Sequence, residues 1–327
     1  MTHNEKIEKA QNALINGDTI VAEEIYQEIL REDAGNLCAL DGLGIIRCQN
    51  NEPASGIEYF NEALHRLRKE NAPNPRSEAS LFFHLGLAYR SLGNRDEALK
   101  VLSAADRLSP DEPDLLLNLG QVYYETGQVN EAVGYFQHLT EVQTDNVSTW
   151  LTLGYILFQQ EQYNEAAECL KTAELLDSES PEICLYLAES LRKAERFEES
   201  VPHYQKMLQV GADYPQAVHG FGKTLLALGH FADGWDAMEF RFASSLGTWE
   251  RHQLPNWSPE LNTQPQRVLA YSEEGLSAEV MFASCLPDLI NNVEHCVVEC
   301  DPALHHLFKR SFPRAEIVPL TSVNIDE

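Results

Sequence analysis

Small and large apolar residues recur along this chain at a fixed interval. A leucine or phenylalanine followed by a glycine or alanine occurs at Leu85-Gly86, Leu119-Gly120, Leu153-Gly154, Leu187-Ala188 and Phe221-Gly222. Successive pairs are 34 residues apart, as in 119 − 85 = 34 and 153 − 119 = 34. Because chance rarely keeps one spacing through five units, the pattern predicts an array of similar structural units.

The residues inside each unit predict two packed helices. If each unit is numbered from 1, the small residue of the pair is at position 8, another small residue recurs at position 20 and a bulky one at position 24. The position 20 residues are Ala98, Ala132, Ala166, Ser200 and Gly234, and the position 24 residues are Leu102, Phe136, Leu170 and Tyr204. Small side chains let helices approach closely, and turns such as "LGNR" and "TGQV" join them, so each unit is predicted to be a helical hairpin.

This pattern resembles the tetratricopeptide repeat family over residues 3 to about 248. Repeats are expected near 3–36, 37–70, 79–112, 113–146, 147–180, 181–214 and 215–248. The insertion "NAPNPRSE" at 71–78 contains two prolines and is expected to be a surface loop. The resemblance implies a mainly α fold in which about seven hairpins stack into a right-handed superhelix.

The resemblance also assigns positions 2, 5, 9, 12 and 13 of each first helix to the concave side of the superhelix. The predicted peptide-binding groove is therefore lined by Arg90, Leu117, Tyr124, Leu151, Tyr155, Phe158, Arg192, Lys193 and Lys223. Apolar stripes often mark binding surfaces, and arginine binds carboxylates well, so the expected partner is a protein or peptide with acidic and apolar features. Two alternatives stay open: the aromatic residues fill a tightly wound superhelix, and each charged residue is a solvated surface group.

Beyond the repeats the pattern changes to alternating strands and helices. Residues 249–264 are predicted to be a linker. The strand-like runs "RVLAY" (267–271), "CVVEC" (296–300) and "EIVPL" (316–320) are separated by helix-like runs near 278–290 and 302–310. This order predicts a small parallel βαβαβ unit, a partial Rossmann-like segment over 265–327.

The linker and the first strand of this segment carry a second resemblance. This region resembles bacterial heptosyltransferase-like glycosyltransferases of the GT-B type that are joined to tetratricopeptide repeats. Their linker contains the motif G-W-x-x-Y-E-x-R and then P-x-W. A strand follows, and after it the motif E-Q-G-L-G-D-x-x-Q-F. This chain matches at Gly234, Trp235, Glu239, Arg241, Pro255, Trp257, Glu273, Gly275, Leu276 and Phe282, with Met238 in place of the tyrosine. Residues 234 to about 320 therefore resemble the linker and start of such an enzyme domain.

Two departures predict that this segment is inactive. The acid of the family's motif is its expected general base, whereas this chain has Ser277 and Ala278 in place of the last Gly-Asp pair, and a methyl group cannot accept a proton. The chain also ends at Glu327, after one partial α/β domain, although GT-B enzymes bind the donor in a second one. We predict no catalytic residue, cofactor or metal. The leading hypothesis is a non-catalytic interaction scaffold, and the alternative is a protein O-glycosyltransferase whose donor-binding domain is missing from this chain.

The charge balance narrows the choice of partners. The 327 residues include 51 acidic and 24 basic ones, a formal net charge of −27, which repels nucleic acids and anionic lipid. No apolar run approaches the ~20 residues that span a bilayer, and the N-terminus lacks a signal-peptide pattern. The seven cysteines are scattered, which is typical of reduced thiols, so we expect a cytoplasmic protein without a nucleic-acid partner or a membrane span.

Overall fold

A computed structural model of the chain describes residues 3–69, 74–209, 214–239, 267–271 and 275–320. The chain divides into two compact units, Met1–Gly234 and Trp235–Glu327, and each is described by itself. The boundary predicted at 248 and the linker at 249–264 lie outside the described residues, as do Arg241, Pro255, Trp257 and Glu273.

The first unit consists of helices packed in consecutive pairs. The helices are α1 (His3–Ile15), α2 (Thr19–Glu32), α3 (Leu37–Gln49), α4 (Pro53–Lys69), α5 (Pro75–Ser91), α6 (Arg95–Asp106), α7 (Pro113–Glu125), α8 (Val129–Val142), α9 (Val147–Gln159), α10 (Tyr163–Leu176), α11 (Pro181–Lys193), α12 (Phe197–Gln209), α13 (Pro215–Ala227) and α14 (Phe231–Glu239), the last of which extends past the division at Gly234. Seven hairpins therefore follow one another, which confirms the predicted mainly helical solenoid.

All seven hairpins close with the same turn. In the first unit, the described residues with positive φ are Gly17, Asn51, Gly93, Gly127, Glu161, Glu195 and Gly229, one at position 15 of each repeat. Neighbouring residues of this set are 34 positions apart, with one exception. Asn51 and Gly93 are 93 − 51 = 42 positions apart, which is 34 plus the eight residues of the insertion. The N–H of the next residue bonds to the carbonyl at position 11, as from Gln128 to Tyr123 at 2.9 Å. This is the Schellman motif, which ends the first helix and turns the chain toward the second.

The two helices of a hairpin touch where the sequence has its small residues. A Cβ added to Gly44, at position 8, would lie 2.4 Å from Cε1 of Phe60, at position 24. A Cβ on Gly154 would lie 2.6 Å from Cγ of Leu170. Position 8 is therefore small because the position 24 side chain of the same hairpin occupies the space beside it, and the two helices approach closely, as the sequence predicted.

The insertion before the third hairpin is shorter as a loop than the sequence suggested. Residues 71–78 were expected to be a surface loop, but α5 already begins at Pro75. Asn74 caps the helix, since its side chain accepts a hydrogen bond from the backbone N–H of Ser77 at 3.2 Å. Proline at the first helical position needs no hydrogen-bond partner for its nitrogen, so these residues extend the helix instead of interrupting it.

The second unit contains a parallel sheet of three strands in the order β1-β2-β3. The elements are β1 (Arg267–Ala270), α15 (Leu276–Phe282), a 3₁₀ turn (Ala283–Cys285), α16 (Leu286–Asn292), β2 (His295–Cys300), α17 (His305–Ser311) and β3 (Glu316–Pro319). Leu269 pairs with Val297, and Val298 pairs with Ile317. Alternate residues of β2, Cys296, Val298 and Cys300, are buried against α16 and α17. The predicted parallel strand–helix alternation is present.

One predicted helix of this unit is divided in two. The sequence suggested a single helix over 278–290, whereas α15 ends at Phe282 and α16 begins at Leu286. Pro287 is the second residue of α16, lacks an N–H, and would clash with the carbonyl of the residue four before it in a continuous helix. The 3₁₀ turn at Ala283–Cys285 accommodates this break.

The shared turn generates a stability prediction. Glu161 has a φ of 59° at position 15, and it is exposed. A left-handed conformation is strained for a residue with a Cβ but not for glycine, so Glu161→Gly should raise the free energy of unfolding by roughly 0.5–1 kcal/mol, measured by urea denaturation. Gly127→Ala, at the equivalent position, should lower it by about as much. A decrease for Glu161→Gly would contradict the role assigned to the turn.

Candidate binding surface on the first helices

The first helix of each hairpin presents a row of residues at positions 5, 9 and 12. In α7 the row is Leu117, Gln121 and Tyr124, and in α9 it is Leu151, Tyr155 and Phe158. Residues three and four apart lie on one side of a helix, so each row is a single stripe. We call the surface formed by these rows the first-helix face.

Several neighbouring first helices are in contact along the solenoid. First helices of successive hairpins touch each other at α3 and α5, at α5 and α7, at α9 and α11, and at α11 and α13. Asp41 and His84 Nδ1 lie 2.7 Å apart between α3 and α5. Arg90 of α5 donates to Gln121 of α7 at 2.7 Å. The first-helix face is therefore a surface shared between repeats.

The apolar part of this face is half-buried. Leu117, Leu151, Tyr155 and Phe158 all pack against the buried core cluster of repeats four to six. Tyr124 differs, because it is 39% exposed. The four packed side chains thus belong partly to the core, as the alternative interpretation of the stripe suggested, and Tyr124 offers the most open aromatic surface of the predicted set.

An aromatic residue that the sequence analysis did not select completes this stripe. Tyr186 lies at position 6 of its repeat, and its ring centroid is 5.2 Å from that of Tyr155 and 6.1 Å from that of Phe158, both in edge-to-face geometry. Such pairs stabilise beyond their buried area. The available signal was an aromatic residue directly after the position 5 leucine, Leu185, on a face already rich in aromatic residues.

Arg90 is held by the next repeat. Its guanidinium donates to Asn118 Oδ1 at 3.0 Å, to Gln121 Oε1 at 2.7 Å, and to Glu125 Oε1 at 2.6 Å and 3.2 Å. Burial raises the pKa of the Glu125 carboxyl, but hydrogen bonds from Arg90 and then Arg95 outweigh this and lower the pKa overall. Arg90 lies on the predicted face, yet its donors are mostly used inside the solenoid.

Arg192 is likewise paired internally. Its Nη2 donates to Glu189 Oε2 at 2.5 Å, and the hydroxyl of buried Tyr204 donates to Glu189 Oε1 at 2.5 Å. Burial lowers the pKa of Arg192, but the hydrogen bond to Glu189 outweighs it and the net direction is upward. Burial, followed by the nearby charge of Glu189, raises the pKa of Tyr204. This pairing was open to sequence analysis, since Glu189 and Arg192 are three residues apart on one helix.

The remaining predicted cations, Lys193 and Lys223, are available to a partner. Both are exposed, and neither forms an ion pair with any described residue. Lys223 of α13 is at position 9, within a row of the first-helix face, and Lys193 of α11 is at position 13, directly after the row and four residues from position 9. The basic end of the first-helix face therefore consists of two lysines, whereas the sequence suggested two arginines as well.

The turn between β1 and α15 of the second unit has no unbonded carboxylate among its described residues. Gly275 has a φ of 83° and precedes α15, whose first turn contains Ser277 and Ala278. Glu279 Oε2 accepts a hydrogen bond from the backbone N–H of Asp301 at 2.8 Å, so this carboxylate joins α15 to the end of β2. Glu273, which matches the first residue of the resembling motif, and its neighbour Glu274 lie outside the described residues.

Two other features are absent from the described residues. No group of three or more His, Cys, Asp or Glu side chains there is arranged to hold a metal ion. No helix in the described ranges has the length and apolar content needed to cross a membrane.

Family models match the repeat region. A model described as TPR repeat matches residues 86–127, and models described as tetratricopeptide repeat match residues 114–142 and 151–218. Among curated proteins, FlbA of Caulobacter vibrioides is 37% identical over 98 residues, which are 28% of this chain and 16% of FlbA. The chain thus matches less than a fifth of the length of that relative.

Solved structures with similar folds include two whose titles call them TPR proteins. The C-terminal part of a TPR repeat-containing protein from Cytophaga hutchinsonii has a TM-score of 0.59 at 13% identity, covering 75% of this chain and 97% of that one. PilF of Pseudomonas aeruginosa has a TM-score of 0.52 at 18% identity, covering 74% and 97%. YrrB, titled a TPR protein with an unusual peptide-binding site, has a TM-score of 0.52 at 18% identity, covering 61% and 98%.

At these identities the structural matches establish the fold alone, while the family models identify the repeats. The common turn recurs in all seven pairs of helices, and the position 8 packing is seen at Gly44, Gly86, Gly120 and Gly154. Residues 86–142 and 151–218, which lie within the helical solenoid, therefore match tetratricopeptide repeats.

Proposed function

We propose that this chain is an interaction protein that binds an extended peptide segment of a partner protein on the first-helix face. The observation that carries the proposal is the shared apolar and aromatic stripe of α7, α9 and α11, with Tyr124 exposed at its edge. An extended segment laid across adjacent helices can place its side chains against such a stripe. The peptide-binding site named for YrrB supports this class of function.

The two unpaired lysines define the chemistry expected at one end of the ligand. Lys193 and Lys223 are exposed in a chain with a net charge of −27, so they are local exceptions to its overall charge. An acidic side chain of the ligand fits there, while its apolar side chains fit the stripe around Tyr124. We also propose a right-handed superhelix and a cytoplasmic location, on the resemblance and on the cysteine pattern described above.

Peptides selected from a displayed library of random dodecapeptides provide a direct test of the stripe. The triple variant Tyr124→Ala, Tyr155→Ala, Phe158→Ala should lose at least tenfold in affinity for selected peptides, measured by isothermal titration calorimetry, because their apolar anchors lose their contacts. Tyr155 and Phe158 also pack on the core, so Tyr124→Ala alone, at an exposed residue, should weaken binding without lowering the melting temperature.

The matched control for the stripe is Leu175→Ala. Leu175 is an apolar residue of α10, a second helix, and is 87% exposed, so its loss should leave peptide affinity unchanged. If the triple variant and Tyr124→Ala bind selected peptides as tightly as the parent chain, the first-helix face is not the binding surface.

The lysines generate a separate prediction about charge. Lys193→Glu combined with Lys223→Glu should lower the affinity for selected acidic peptides by roughly tenfold or more and reduce its dependence on salt, because attraction becomes repulsion at short range. The control is Lys9→Glu combined with Arg107→Glu, which makes the same change in net charge at exposed residues elsewhere. Equal losses in both double variants would show that net charge, and not these positions, sets the affinity.

The second unit is proposed to be a non-catalytic remnant of a glycosyltransferase. The support is the parallel order β1-β2-β3 together with Gly275 at a positive φ between β1 and α15. Ala278 stands where the resembling enzymes have their expected base, and Glu279 is bonded to the backbone of Asp301. The alternative is an enzyme whose repeats select a polypeptide acceptor and whose donor site is supplied by a further domain.

Donor binding distinguishes these two possibilities. Calorimetric titration of the chain with UDP-, GDP- and ADP-sugars should give no saturable binding up to millimolar concentration. A known nucleotide-sugar transferase serves as the positive control for the ligands. Saturable binding of any of them would overturn the remnant proposal and favour the enzyme.

A further inference from the structure

The arginine of α5 fixes the orientation of two side-chain amides on α7. Arginine carries only donors, so the oxygens of Asn118 and Gln121 must both face Arg90, at 3.0 and 2.7 Å. Their NH₂ groups therefore point away from it. Glu125 accepts the remaining donors of the same fork, which balances the charge of the arginine.

The two oriented amides differ in what their NH₂ groups do. Asn118 Nδ2 donates to the carbonyl of Asp114 on its own helix at 2.8 Å. Gln121 Nε2 donates to no described residue. Gln121 is half-buried, and it lies at position 9 between Leu117, four residues before, and Tyr124, three residues after. The face thus presents a fixed hydrogen-bond donor flanked by apolar side chains.

We propose that Gln121 donates its free N–H to a main-chain carbonyl of the bound peptide, and that Arg90 is the positioning residue that keeps this donor facing the ligand. This inference rests on the proposed peptide-binding function of the first-helix face. A main-chain carbonyl is an acceptor that every extended peptide supplies. The peptide side chains on either side of that carbonyl then contact the apolar residues that flank Gln121 in the stripe.

Arg90 makes this recognition directional. A free glutamine side chain rotates and offers either its oxygen or its nitrogen, whereas Gln121 is held with the nitrogen outward. The face therefore accepts a carbonyl at this point and rejects a backbone N–H, which fixes which peptide group faces α7. Preorganisation also avoids the entropy cost of ordering the amide when the peptide binds. The role assigned to Arg90 replaces the expectation that it contacts an acidic group of the ligand.

Two substitutions of Gln121 separate the donor from the shape of the side chain. Gln121→Glu keeps an acceptor for Arg90 and nearly the same shape but loses both N–H donors. Gln121→Met also removes the donors without adding charge. Each should lower the affinity for peptides selected from the dodecapeptide library by about 5- to 100-fold, because the ligand's carbonyl is left unpaired. Melting temperatures of both variants, compared with the parent chain, establish that the solenoid is intact.

An ester scan of one selected peptide tests the hydrogen bond itself. Replacing each peptide bond in turn by an ester weakens one carbonyl acceptor and removes one N–H donor, and only the first change bears on a hydrogen bond from Gln121. We expect at least one ester position that weakens binding to the parent chain but not binding to Gln121→Met, and the same position should lose its effect in Arg90→Lys, where the amide is free to rotate. A purely structural role for Arg90 would leave the pattern of ester effects unchanged.

The outcomes separate this inference from the proposed function. If Tyr124→Ala weakens binding while Gln121→Met and Gln121→Glu do not, the peptide binds on the face but Gln121 does not read it, and the inference fails alone. An ester pattern that is the same in the parent chain and in Gln121→Met overturns it as well. If the library yields no peptide that depends on Tyr124, both the inference and the proposed function fail.

Discussion

The close approach of the two helices in each hairpin is the constraint on which the rest of the solenoid depends. A bulky side chain at position 24 lies where a Cβ at position 8 would be, as Phe60 does beside Gly44. The left-handed residue at position 15 then fixes where the first helix ends. With both contacts set, the first helix cannot rotate about its axis, so positions 5, 9 and 12 take the same direction in every repeat. The direction of the first-helix face is therefore a consequence of packing at position 8, which is three residues from position 5 and four from position 12 of the same helix.

Two repeats use a variation of this contact that links the core to the face. Tyr26 and Tyr204 are both at position 24, and each is accommodated by a glycine at position 6 of the next repeat, Gly42 and Gly220. A Cβ on Gly42 would lie 2.3 Å from the ring of Tyr26. The long tyrosine side chain extends to the first helix of the next repeat. The hydroxyl of Tyr204 also donates a hydrogen bond to Glu189. Core composition therefore decides which charged groups remain free on the surface.

The sequence was sufficient for features that repeat and insufficient for features that occur once. The hairpins, their turns and the strands of the second unit follow from local periodicity, which one chain displays many times or in simple alternation. Proline signals a helix break, and Pro287 is present in the sequence. The helical pattern on both sides of it nevertheless favoured a single continuous helix. The partners of Arg90 come from a helix 28 to 35 residues away, so no local pattern identifies them. Tyr186 joins the stripe because α11 packs beside α9, a contact between repeats that no local pattern in the sequence displays.

The distribution of the cations bears on how an acidic protein would bind the proposed acidic ligand. Arginine forms several oriented hydrogen bonds at once, and here both face arginines use them to bind carboxylates and amides of the solenoid itself. Lysine has a flexible point charge that gains less from such packing, and Lys193 and Lys223 remain exposed. At physiological ionic strength, charges more than about 8 Å away are largely screened, so the net charge of −27 acts weakly on a ligand already in contact. An acidic group of the proposed ligand would therefore be attracted only within this short range, after the apolar stripe has placed the group beside α11 and α13.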